Sequence, residues 1–146
     1  MPRGLPSSSR EIGQMVPHAG AMCLLERVVA SDAQSIRCEA DNHANTANPL
    51  RNARGLPVTA GIEYAAQAVA LHAALQRESG GAVQSGALAV LSDVTWTVEQ
   101  LDQLSGPLRV EATLIAGTAG GRQYSFAVSG GVGDPVLTGE MIVAIG

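Results

Sequence analysis

The sequence predicts an α+β domain in which an antiparallel sheet wraps one long apolar helix. Two observations carry that expectation. One segment, Thr59 to Glu78, has helical composition and is too apolar to lie on a surface. Around it, runs rich in Val, Leu, Ile and Thr are separated by glycine and proline turns, giving two strands before the helix and four after it.

The elements follow in order. Residues 1–10 hold two prolines and three consecutive serines and read as a loose, disordered tail, leaving 11–146 as a single domain. Met22 to Ala30 is a mostly apolar run and reads as the first strand. Ser31-Asp32 gives a turn, and Ser35 to Ala40 alternates polar with apolar, as a half-buried strand does. Asp41 to Pro57 holds four asparagines, two prolines and almost no large apolar residue, so it reads as a long, functional loop.

Thr59 can cap the helix, and Ala60, Ala65, Ala66, Ala68, Ala70, Ala73 and Ala74 favour it and admit close neighbours on several faces. Ser79-Gly80-Gly81 ends it. Ala87 to Val98, Leu108 to Gly117, Gln123 to Ser129 and Pro135 to Ile145 read as strands. The glycine turns between the last three imply an antiparallel meander.

Composition excludes several classes of function. The chain has 146 residues, enough to bury a core without a disulfide or a structural metal. Aromatics are 3% and the formal charge is −4, which argues against a nucleic-acid partner. All nine basic residues are arginine, so Schiff-base chemistry and a phosphate-loop lysine are ruled out. No apolar run is long enough to span a bilayer, and a cytoplasmic protein is expected. Cys23 and Cys38 read as small buried hydrophobes, and no His, Cys or carboxylate spacing matches a metal site.

The candidate proton-transfer groups are Glu63, His18, His43 and His72. Glu63 sits among Gly61, Ile62, Tyr64, Ala65 and Ala66. That company removes water from a carboxylate and suits a general acid, although Glu63 could equally complement the helix N-terminus. At roughly 100° per residue, Gln67 shares a face with Glu63 while His72 lies about 180° away. His72 is therefore expected to be a helix-face residue with a satisfied hydrogen bond. His18 stands in Pro17-His18-Ala19-Gly20, where the flanking residues can fix its approach to the first strand. His43 stands in the polar loop, with solvation as its plainest fate.

Three segments carry a family resemblance. Val16 to Val29 (VPHAGAMCLLERVV) resembles the opening of the hotdog-fold 3-hydroxyacyl-thioester dehydratases of fatty-acid synthesis. Gly55 to Leu75 (GLPVTAGIEYAAQAVALHAAL) resembles their central helix, where a glutamate precedes a glutamine in E-x-x-A-Q; here these are Glu63, Ala66 and Gln67. The late strands match more weakly. The leucine-proline pair running into I-E-Y-x-A-Q is most similar to the divergent dehydratases of aryl-polyene gene clusters.

The resemblance implies a hotdog fold, no cofactor and a hydro-lyase that takes an acyl-carrier-protein or coenzyme A thioester. It implies a dimer or higher homo-oligomer, or a heterodimer with a related hotdog subunit. A histidine would remove the α-proton, Glu63 would protonate the departing hydroxyl, and Gln67 would contact substrate. Backbone N–H groups near the helix start would polarise the thioester carbonyl, and the acyl chain would lie in an apolar tunnel at the dimer interface. One departure matters. The family's histidine lies in an H-F-P-G-x-P stretch fourteen residues before the glutamate, and that position here is Pro49. His18 is the preferred replacement and His43 the other; a partner subunit could also supply the base. A non-catalytic thioester-binding subunit and a hotdog thioesterase are the alternative functions.

Overall fold

The computed structural model describes residues 4–15, 23–77, 86–118, 120–131 and 133–145. Its elements are α1 (Ser9–Gly13), β1 (Arg27–Ser31), β2 (Ser35–Ala40), α2 (Ala60–Arg77), β3 (Gly86–Trp96), β4 (Leu108–Thr118), β5 (Gly121–Gly130) and β6 (Leu137–Ile145). The six strands form one antiparallel sheet in the order β1-β2-β4-β5-β6-β3. β4, β5 and β6 are the expected meander.

The sheet folds over α2, which packs against β2, β4 and β5. Tyr64, Ala65, Ala68, Val69 and Leu71 of the helix are buried, and they meet Ile36, Cys38, Val110, Val128 and Leu137 of the sheet in one core. The small residues have the expected use. A Cβ on Gly61 would stand 2.6 Å from the Leu137 side chain, so the helix start lies directly on β6. Cys38 alternates inward with Ile36 and Ala40, and burial pushes its thiol up to about 12.

Two parts differ from expectation. The amino-terminal stretch is built into the fold over residues 4–10. Ser8 caps α1 by accepting from the Glu11 N–H at 3.2 Å, Ile12 of α1 is fully buried, and the Pro6 carbonyl accepts the Val28 N–H of β1 at 2.8 Å. The first strand begins only at Arg27, and Met22, its expected start, lies outside the described residues. Cys23–Glu26 stays out of regular strand because side chains hold the Leu24 backbone groups that a ladder would use. The helix end expected at Glu78 and Ser79-Gly80-Gly81 also lies outside the described residues.

Candidate active site

Glu63 lies in the first turn of α2, half-buried. One turn later on the same face is Gln67, fully buried, whose Nε2 donates to Glu63 Oε1 at 3.4 Å. The other end of the Gln67 amide, Oε1, accepts the Leu24 N–H at 2.9 Å. The expected shared face of Glu63 and Gln67 is therefore occupied by the chain that follows position 22. His18 itself lies outside the described residues.

A second set of amides meets this one. Asn42 Nδ2 donates to the Leu24 carbonyl at 2.8 Å, and Asn42 Oδ1 accepts from Tyr64 Oη at 2.6 Å. Asn48 Nδ2 donates to the same Tyr64 Oη at 3.0 Å. Burial is the leading cause that pushes the Tyr64 phenol up to about 12, so it stays a neutral donor. These contacts were not legible in advance. Only the density of asparagine in the loop hinted that its side chains do structural work.

The loop from residue 41 to 57 is more rigid than its composition implies. Asn45, Asn48 and Asn52 each accept the N–H two residues on, from Ala47, Leu50 and Arg54, at 2.8, 3.0 and 2.8 Å. These are successive Asx turns. His43, expected to be solvated, is instead buried in a short 3₁₀ turn, Asn42–Ala44. Its Nε2–H donates to the Leu104 carbonyl at 3.0 Å, while Nδ1 is buried and has no partner among the described residues. The nitrogen left to act as a base is thus closed off from solvent. Pro49, at the family's histidine position, is exposed.

His72 lies where the helical angle put it, on the face away from Glu63. Its Nε2–H donates to the Asp32 carbonyl at 2.8 Å and its Nδ1 accepts from Tyr124 Oη at 2.8 Å. Burial and the charge of Arg122 pull its pKa below the ordinary histidine value. It is a satisfied core histidine.

The helix start corrects one expectation. The Ala60, Gly61 and Ile62 N–H groups already donate to the Pro57, Val58 and Thr59 carbonyls at 2.9, 2.9 and 3.1 Å. They are not free donors for a thioester carbonyl. Among the described residues, no group of three or more His, Cys, Asp and Glu could hold a metal ion, and no helix is long and apolar enough to cross a membrane.

Solved structures share this architecture. A chain of the dehydratase heterocomplex ApeI:P from Xenorhabdus doucetiae superposes with a TM-score of 0.83 at 24% identity, covering 99% of this chain and 93% of that one. The dehydratase domain of PpsC from Mycobacterium tuberculosis, in complex with C12:1-CoA, gives 0.70 at 14% identity, over 97% of this chain and 52% of that one. A thioesterase, PA1618 from Pseudomonas aeruginosa, gives 0.57 at 18% identity, over 82% and 79%. At these identities the likeness establishes the hotdog fold. No curated protein matches the chain. The ApeP-like family, described as ApeP dehydratase, matches residues 10–143. With nearly the whole domain matched, the chain belongs to the ApeP-like dehydratase family.

Proposed function

We propose that this dehydratase removes water from 3-hydroxyacyl thioesters to give trans-2-enoyl thioesters, in fatty-acid or polyene-type synthesis. Glu63 is the general acid. It delivers a proton to the β-hydroxyl as the C–O bond breaks, while a histidine takes the α-proton, so the products are the enoyl thioester and water. The elimination needs no metal and no cofactor. One observation carries the reading: a half-buried carboxylate on the first turn of the wrapped helix, held by Gln67, which is itself bonded to the backbone of Leu24.

His18 is the proposed base. It is preferred because Pro17 and Gly20 can fix its approach to the first strand, and precise placement is what a general base needs. His43 is less suited, because its one unbonded nitrogen is buried. Gln67 has both ends of its amide engaged within the chain, so its proposed contribution to substrate binding runs through Glu63.

The proposed substrate carrier is acyl carrier protein or coenzyme A, and the proposed compartment is the cytoplasm. The proposed assembly is a homo-oligomer, at least a dimer, or a heterodimer with a related hotdog subunit. The ApeI:P structure is a dehydratase heterocomplex, which supports the second form. Pro49 in place of the family histidine favours a second reading, a subunit that binds thioester but turns over only with a partner's base.

The test is a hydration–dehydration assay on a panel of 3-hydroxyacyl and enoyl thioesters, with and without a co-expressed hotdog partner. Wild type should interconvert the two, and Glu63→Gln should remove most turnover with the fold intact. His18→Ala should be as damaging, and His43→Ala less so. Near-native rates in Glu63→Gln overturn the acid assignment, and release of free thiol identifies a thioesterase.

A further inference from the structure

We infer that Asn48, Tyr64 and Asn42 form a positioning relay that fixes the backbone of Leu24 and, through Gln67, the carboxylate of Glu63. The inference rests on the assignment of Glu63 as the acid and adds residues that act on its carboxylate through Leu24 and Gln67. Leu24 has both backbone polar groups held by side chains: its N–H by Gln67 Oε1 and its carbonyl by Asn42 Nδ2.

Those two contacts remove an ambiguity. A side-chain amide can point either way, and its orientation follows from its partners. The Leu24 N–H can only donate, so Gln67 must give it Oε1 and turn Nε2 toward Glu63. The Leu24 carbonyl can only accept, so Asn42 must give it Nδ2 and turn Oδ1 toward Tyr64. Tyr64 Oη must then donate to Asn42, which leaves its lone pairs to accept from Asn48. From Leu24 outward, to Glu63 on one side and to Asn48 on the other, each donor and acceptor is forced by the one before it.

The consequence reaches the chemistry. Gln67 supplies a donor at Glu63 Oε1 and so sets the direction of the carboxylate on the helix face. Tyr64 and Gln67 are fully buried and Asn48 nearly so, and a satisfied chain of hydrogen bonds in such surroundings is stiff. An acid held this way keeps its place, and a shift of about 1 Å can cost on the order of a hundredfold in rate. Asn48 directly precedes Pro49. The loop that carries the base in the family's usual pattern here supplies the first amide of a relay.

The test uses Tyr64→Phe and Asn42→Ala in the full chain, in whichever assembly is active. Two readouts are taken: kcat and KM for the thioester, and, without substrate, the ¹⁵N–¹H signal of the Gln67 side-chain amide with the exchange rate of the Leu24 N–H. The Gln67 signal is assigned by its loss in Gln67→Leu. Each variant should lower kcat roughly tenfold with KM within about twofold, move the Gln67 signal and speed Leu24 exchange about tenfold. In a Gln67→Leu background neither should lower kcat further. Variants that lower only the melting temperature overturn the relay, as does a fall in kcat with an unmoved Gln67 signal or with full additivity. A wild type inactive on every thioester would defeat the proposed function, and the Gln67 signal would still decide the relay.

Discussion

The two edges of the sheet are built to opposite ends. β1 is five residues long, is bent by a bulge between Val28 and Ala30, and has its Val28 N–H taken by Pro6. Arg27 is paired with Glu39 at 3.0 Å and with Asp41 at 2.9 Å. Short length, a bulge, charge and a covering segment are the means by which an edge refuses another strand. β3 is eleven residues long and pairs only with β6 among the described residues. Of residues 90–97 all but Val94 are exposed, including Val90 and Trp96 at 48% each and Leu91 at 38%. The sheet is closed to growth at one edge and open at the other, so assembly with a second hotdog subunit is expected at β3.

The largest way to break that contrast is to uncover the protected edge. Ile12 is the fully buried residue of α1, the helix that follows the Pro6 contact. Ile12→Ala should cost about 2 to 4 kcal/mol in a urea melt. It should also bring new association through β1, seen as species larger than wild type in light scattering. A small stability loss with unchanged assembly would show that α1 protects nothing.

The next effect sharpens the contrast from the other side. Leu91→Lys places a charge in the expected interface and should weaken assembly by at least about 2 kcal/mol, some thirtyfold. Val29→Lys, at an equally exposed position on β1, should change stability by no more than about 0.5 kcal/mol and leave the assembly as it was. Equal effects of the two lysines on light scattering would erase the distinction between the edges.

How much of this was legible depended on the range of the forces involved. α2 followed from a local alanine run, and the placement of His72 opposite Glu63 followed from helical periodicity alone. The β4–β6 meander followed from glycine turns. The contacts that were missed span long sequence distances. Cys23–Glu26 has the composition of a strand, but Leu24 is claimed by Gln67 and Asn42, forty-three and eighteen residues away. His43 sits in a polar segment, yet the Leu104 carbonyl, sixty-one residues on, draws it inside. α1 was overlooked because five residues carry too little pattern to stand out from a tail. In the candidate site, the Glu63–Gln67 pair was readable from one helix, whereas the side chains behind it join three separate segments.

The smallest effect is one of pH, and it begins between the two edges, where α2 meets β5. His72 Nε2 and Gln76 Nε2 both donate to the Asp32 carbonyl, at 2.8 and 3.1 Å, and so tie the β1–β2 turn to α2. Burial first, and then the charge of Arg122, lowers the pKa of His72 in the folded chain. The unfolded chain, with histidine near its ordinary value of about 6.5, therefore takes up a proton more readily than the folded one as pH falls. The stability that neutral His72 contributes is full above about pH 6.5 and is lost progressively below it, down to the lowered folded value, where the loss stops. The proton enters at Nδ1, the nitrogen that accepts from Tyr124 Oη, while Nε2–H keeps its bond to the Asp32 carbonyl. Amide exchange around Tyr124 in β5 should therefore accelerate across that window ahead of the β1–β2 turn. His72→Gln should flatten this dependence by removing the titrating group. If β1 and β2 loosen while β5 keeps its protection, or if His72→Gln keeps the same pH profile, then the His72–Tyr124 contact is not what titrates.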